Sequence, residues 1–229
     1  MTESTQVRPT SSARGGSGSR TPSPTPIVVF ADVSCPFAHV GLRRLVERRR
    51  QLGREDVRLR VLAWPLELIN GGPLLGTNIE QKVLALRTQV APDLFAAFEP
   101  DRFPATTLPA LRLTSAAYRL DSELGESIAL DLRDRLFEHG EDVADPHVLM
   151  ATARRCGAPD LYVDPIHSTG PVEAEWALGR ARHVVGSPHF VVRGRGLFCP
   201  SLSIGHSVGD LQIVVDHQRF DELAHLCFG

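Results

Sequence analysis

No two cysteines of this chain are close enough in sequence to form a C-x-x-C pair. Cys35, Cys156, Cys199 and Cys227 are spread over 229 residues. That spacing excludes a disulfide framework and zinc-ligand spacing, and it predicts a cytoplasmic location where thiols stay reduced. No apolar run approaches the length of a membrane-spanning helix, and the N-terminus lacks the apolar h-region of a secretory signal. An excess of either charge is also missing: 25 basic and 27 acidic residues leave a net charge of −2. Neither a nucleic-acid footprint nor a membrane association is therefore expected. Internal repeats are absent. Asp145, His139 and His147 bunch in sequence, but they lie around a helix boundary, and no metal site is expected.

Residues 1–26 also have almost no large apolar side chains. Such a segment cannot bury enough surface to offset its ordering entropy, which predicts a disordered tail. The remainder is rich enough in apolar residues, 42% of the whole chain, to build one sizeable core.

Its organising stretch is Ile27 to Leu45. The β-branched run Ile27 to Val33 reads as a buried strand. Ser34-Cys35-Pro36 follows, then a helical pattern carrying Phe37, Val40, Leu42 and Leu45. Proline suits the first helical position, so Cys35 falls at the helix N-terminus beside unpaired N–H groups and the positive end of the dipole. A thiol there has its thiolate stabilised, and Cys35 is the candidate nucleophile. Gly53 ends that helix, and Val57 to Trp64 alternates as a second strand, which suggests a βαβ unit. Pro65 closes the strand and 66–72 leads into a loop.

From about Asn78 to Cys156 the chain reads mainly helical. One helix is predicted over 107–120 and another over 123–139, the latter with Leu124, Ile128, Leu132 and Leu136 four apart. A third opens on Asp145-Pro146 and stops at Gly157. A further helix is predicted over 171–182. Val184 to Val192 and Leu197 to Pro200 flank the turn 193–196 as a β-hairpin. Leu211 to Val215 reads as a short strand, and Asp216 as the cap of a final helix.

This order, with Cys-Pro at a helix start and Ser187-Pro188 before a hairpin, resembles the DsbA-like branch of the thioredoxin superfamily. The cytoplasmic members related to hydroxychromene-carboxylate isomerase and the kappa-class glutathione transferases are the most similar. Three motifs carry the resemblance: 32–41 (Asp-Val-Ser-Cys-Pro-Phe-Ala-His-Val-Gly), 64–68 (Trp-Pro-Leu-Glu-Leu) and 186–191 (Gly-Ser-Pro-His-Phe-Val). It implies an α/β thioredoxin fold with a large all-helical insertion. Residues 27–77 and 158–229 would form the thioredoxin-like domain and 78–157 the insertion. It further implies a cis bond before Pro188, packed opposite Cys35, and a thiol substrate that pairs with the backbone there. The thiol-binding set would be Ser34, Pro36, Phe37, Ser187, Pro188 and Cys199.

The chain departs from the family at one decisive position. A dithiol oxidoreductase would carry a second cysteine where Ala38 stands, and the isomerase and kappa-class relatives carry serine where Cys35 stands. The leading expectation is a thiol-disulfide oxidoreductase working through Cys35 alone. Glutathione or another external thiol then serves as co-substrate, with no tightly bound cofactor, and the partners are small thiols, disulfides or protein thiols. Cys199 is an alternative resolving thiol. A glutathione-dependent transferase or isomerase is the second reading, and a catalytically silent binding module the third; a homodimer is left open. His39, one turn after Cys35, is a candidate thiolate partner or general base. Asp32 would raise the thiol pKa or act as a base, unless it is only a hydrogen-bonded strand-end carboxylate. His189 and His206 are weaker candidates. Trp64, Cys156 and Cys227 read as core.

Overall fold

The computed structural model describes residues 26–161, 170–207 and 210–229. The expected tail, residues 1–26, lies outside them except for Pro26. Four strands form the main sheet: β1 (Ile27–Ala31), β2 (Leu59–Ala63), β3 (His189–Val192) and β4 (Arg195–Phe198), in the order β2-β1-β3-β4. β1 pairs parallel with β2 and antiparallel with β3, and β3 pairs antiparallel with β4. The parallel pair is joined by helix α1 (Pro36–Gln51), the crossover that parallel strands require. Gly53, at φ 63°, turns the chain out of that helix.

Alternation along β1 sends its side chains to two different layers. Val29 and Ala31 pack with Leu42 and Leu45 of α1 and with Phe220 and Leu223 of the last helix, α8 (His217–Phe228). Phe30 enters the opposite cluster with Leu62, Trp64 and Val184, against which Trp176 of helix α7 (Pro171–Ala181) packs. Gly179 permits this close approach, because a Cβ there would lie 2.6 Å from the Trp64 ring.

Between β2 and β3 lie the helices α2 (Leu66–Asn70), α3 (Gly76–Gln89), α4 (Leu108–Leu120), α5 (Ser122–Phe137) and α6 (Pro146–Arg155), before α7. Asp121 caps α5, and Asp145 caps α6 by accepting from the His147 N–H. Ile79, Val83, Leu86, Phe95, Leu113, Leu132 and Phe137 build a second core here, and Val33 and Val40 link it to the start of α1. The helices also finish the edge of the sheet. The outward N–H groups of Leu59, Val61 and Ala63 donate to Glu126 (2.8 Å), the Tyr118 hydroxyl (3.0 Å) and Glu175 (2.7 Å). Side chains therefore stand where another strand would otherwise add.

Two elements differ from the sequence reading. The segment after Pro65 is expected to be a loop, yet it forms the single-turn helix α2, whose Leu66 N–H donates to the Asp32 carboxyl at 2.7 Å and whose end is the αL residue Gly71. Residues before Leu211 carry too many Ser and Gly to signal a strand. They form β5 (Leu202–Ser207), paired with β6 (Asp210–Val215) in a separate hairpin. The Gln89 side chain of α3 holds it, donating to Leu211 O (2.9 Å) and accepting from the Ile213 N–H (2.7 Å). Both elements depend on partners distant in sequence. Among the described residues no helix is long and apolar enough to cross a membrane.

Candidate active site

Cys35 is the N-cap residue of α1, in extended conformation, and Pro36 takes the first helical position. Its thiol donates to the carbonyl of Ser187 at 3.1 Å. The Ser187–Pro188 bond is cis. The next carbonyl along, that of Pro188, accepts the Cys199 N–H at 2.9 Å. The two cysteines thus hang on consecutive carbonyls of one turn. Gly41 of α1 faces that turn, where a Cβ would lie 3.7 Å from the Pro188 ring, in ordinary contact. The turn is tied to the strand end as well: Ser187 Oγ accepts the Asp32 N–H at 3.0 Å.

Asp32 organises the loop before Cys35. One carboxyl oxygen accepts the backbone N–H and the hydroxyl of Ser34, both at 2.9 Å, and the other accepts the Leu66 N–H and the Thr107 hydroxyl, at 2.7 and 3.2 Å. Burial pushes its carboxyl above the usual range, against the pull of the Ser34 and Leu66 donors. Asp32 is the hydrogen-bonded strand-end carboxylate. Beside it lies a niche of about 10 Å³, water-sized, lined by Asp32, Ser34, Glu67 and Thr107 and by the apolar Leu74 and Phe103.

The expected low-pKa thiol is not what the fold makes of Cys35. Burial, with only 3% of the residue exposed, pushes the thiol above its ordinary value. The Ser187 hydroxyl and the Ala38 and Phe37 N–H groups act in the thiolate's favour but do not outweigh it, and Asp32 raises the thiol further. The helix N-terminus acts in the expected direction; desolvation of the sulfur is larger. Cys199 is also buried and is pushed up to about 12, first by burial and then by the nearby Cys35. Its φ of 43° places a non-glycine residue in the left-handed region, where side chains carry strain.

His39 is placed elsewhere. Its Nε2 is bonded to Glu138 at 2.6 Å, and its ring lies beside those of Phe95 and Phe137. Burial lowers the imidazole pKa by more than Glu138 raises it, so the ring is neutral and donates. Burial alone would raise Glu138, but bonds from His39 and from the Phe95 and Ala96 N–H groups hold it at about 2. His39 thus joins α1 to the helical layer. A carboxylate depressed in the fold stabilises above its unfolded value near 4.5 and loses that contribution as pH falls toward 2. Glu138→Gln is accordingly expected to cost about 2 kcal/mol at pH 7 and to flatten the loss of stability between pH 4.5 and 2. Denaturant titrations at several pH values check both.

Of the remaining candidates, Ser34 and Pro36 are buried at the site, and Phe37 bridges the two large cores. His189 is buried in β3 over Gly196, where a Cβ would meet its ring at 2.7 Å. The His206 side chain lies outside the described residues. Trp64 and Cys227 are core, and Cys156 is partly buried against the second core.

Sequence reasoning missed Arg133 entirely. It stands on α5 in the column Ala129, Arg133, Phe137, and it is 2% exposed. Its guanidinium donates to Ala129 O at 2.6 Å and to Asp32 O at 3.2 Å. The signal available was a charge at four-residue spacing within an otherwise apolar column.

Comparison by sequence with curated proteins gives no significant match. Among solved structures, a candidate protein disulfide isomerase from Nitrosomonas europaea is similar at a TM-score of 0.61 and 17% identity, covering 88% of this chain and 94% of its own. The cytosolic disulfide reductase DsbM from Pseudomonas aeruginosa is similar at 0.56 and 14%, covering 88% and 98%. A 2-hydroxychromene-2-carboxylate isomerase is similar at 0.56 and 15%, covering 76% and 88%. At these identities the likeness is one of fold. The sequence profile of the DSBA-like thioredoxin domain matches residues 26–226, nearly all of the described structure, and the chain belongs to that family.

Proposed function

We propose that the protein is a thiol-disulfide oxidoreductase that reduces disulfides through Cys35 alone, with glutathione or a similar small thiol completing the cycle in the cytoplasm. The observation that carries this reading is the 3.1 Å bond from the Cys35 thiol to the carbonyl before Pro188. It puts the sulfur against the backbone edge a substrate would use, while Ala38, fully buried, offers no second thiol. In the first step Cys35 gives up its proton, its sulfur attacks a disulfide, an S–S bond forms, and the leaving thiolate takes up a proton. In the second, the external thiol attacks the mixed disulfide and frees Cys35. A further external thiol then releases the reduced product from its own mixed disulfide. Overall one disulfide and two thiols become two thiols and one new disulfide. The fold neighbour DsbM, named a cytosolic disulfide reductase and solved with GSH, supports the choice of thiol.

The test is cysteine-by-cysteine mass spectrometry after oxidised glutathione. Cys35 is expected to carry glutathione, reversibly, and Cys199→Ser to leave both the adduct and its release by reduced glutathione unchanged within about twofold. A Cys35–Cys199 disulfide in place of the adduct would replace the external thiol with an internal one. Absence of either product would remove the redox reading.

A glutathione-dependent isomerase or transferase is the second reading. The buried Cys35, held protonated as a donor to the Ser187 carbonyl, supports it. Calorimetric binding of reduced glutathione without adduct formation would favour it.

A further inference from the structure

Arg133 is fully buried, yet its hydrogen bonds go only to backbone carbonyls, and its Nε has no partner. Among the described residues no carboxylate stands within ion-pair distance of it. A cation held in this way costs the fold free energy, and arginine does not shed its proton to avoid that cost. A second observation connects it to the site. The Asp32 carbonyl that takes Arg133 Nη2 at 3.2 Å is the same oxygen that takes the Cys35 N–H at 3.4 Å. The guanidinium and the cysteine therefore share one acceptor atom.

We propose that Arg133 is a positioning residue for Cys35, fixing through the shared Asp32 carbonyl the loop that seats the thiol and supplying the positive charge the buried sulfur needs when it ionises. The proposal rests on the reading of Cys35 as a nucleophile. The other ionisable groups around the pair are Asp32 at the end of β1, Asp134 on α5, Tyr118 on α4 and Cys199 after β4. Asp32 opposes ionisation of the thiol, and the Arg133 charge, attracted to Asp32, offsets that opposition. Attraction between Arg133 and Cys35 acts in the same direction.

The test is the iodoacetamide alkylation rate of each cysteine against pH, in the full chain, for wild type, Arg133→Met, Arg133→Gln and Arg133→Lys. Methionine and glutamine both remove the charge, glutamine keeping a polar side chain. Both neutral variants are expected to slow Cys35 about tenfold at pH 7.5 and to move its profile up by about one unit, while the lysine variant stays within about threefold of wild type. Cys156 and Cys227 serve as controls, since loosening of the whole fold would speed them. A folded neutral variant with the wild-type Cys35 profile overturns the assignment. So does failure of both neutral variants to fold while the lysine variant folds, because the charge would then serve the core rather than the sulfur. Alkylation reads ionisation directly, so the result does not depend on whether glutathione is the co-substrate.

Discussion

Cys35→Ser is expected to abolish glutathione-dependent disulfide reduction, leaving turnover about a thousandfold or more below wild type, at the uncatalysed background. A serine hydroxyl can still donate to the Ser187 carbonyl, so the 3.1 Å contact and the turn around it survive the substitution. What is lost is the sulfur: an alcohol does not exchange with disulfides, because the thiolate is the attacking form. A coupled assay of glutathione oxidation, with unfolding midpoints as the control for folding, measures both sides. If Cys35→Ser turns over like wild type, the thiol chemistry is not at this residue. The pH profile has a definite direction as well. Because burial raises the Cys35 thiol, the thiolate fraction, and the wild-type rate with it, is expected to climb with pH from 6 to 9. A plateau reached below pH 7 would instead indicate an activated thiolate of the kind the helix N-terminus alone suggests.

The largest expected loss of stability comes from Glu126→Ala. Glu126 is 4% exposed and pairs with Arg49, 7% exposed, at 2.6 Å; its other oxygen accepts the Leu59 N–H at 2.8 Å. Truncation leaves a buried guanidinium short of its partner and an edge N–H of β2 without an acceptor. Breaking a buried pair from one side costs about 3–5 kcal/mol, a large share of the roughly 5–15 kcal/mol that holds a domain folded. Arg49 retains the Val57 carbonyl at 3.1 Å and a 3.4 Å contact with exposed Glu55, which sets the expectation at the lower end. Glu126→Gln keeps an acceptor for Leu59 and is expected to lose less than half as much. Urea unfolding of the two variants decides the matter. Equal losses would mean that the charge pair, and not the capped strand edge, carries the effect.

Local signals were enough for a large part of this molecule. The apolar run Ile27 to Val33, proline after Cys35, the four-residue spacing of Leu124 to Leu136, and Asp145 and Asp216 at helix starts each act within a few residues. Each element they predict is present. The departure at Ala38 was equally readable, because it is a matter of residue type. Helix α2 and strand β5 were not readable, since α2 leans on Asp32 and the β5–β6 hairpin on Gln89, and neither is a sequence neighbour.

The site divides the same way. Sequence alone determined that a cysteine stands at the start of α1 with no second thiol one turn on, and that the scaffold is of the thioredoxin type. The tertiary structure decided the protonation of that cysteine, because the sulfur is buried by the Ser187–Pro188 turn, 152 residues on, and by the helical layer. It likewise took His39 from the thiol and gave it to Glu138, 99 residues on, and it set Arg133 on the Asp32 carbonyl that the Cys35 N–H also uses. Dipoles and spacing act along the chain, but desolvation and ion pairing depend on what packs against a residue from elsewhere in the fold.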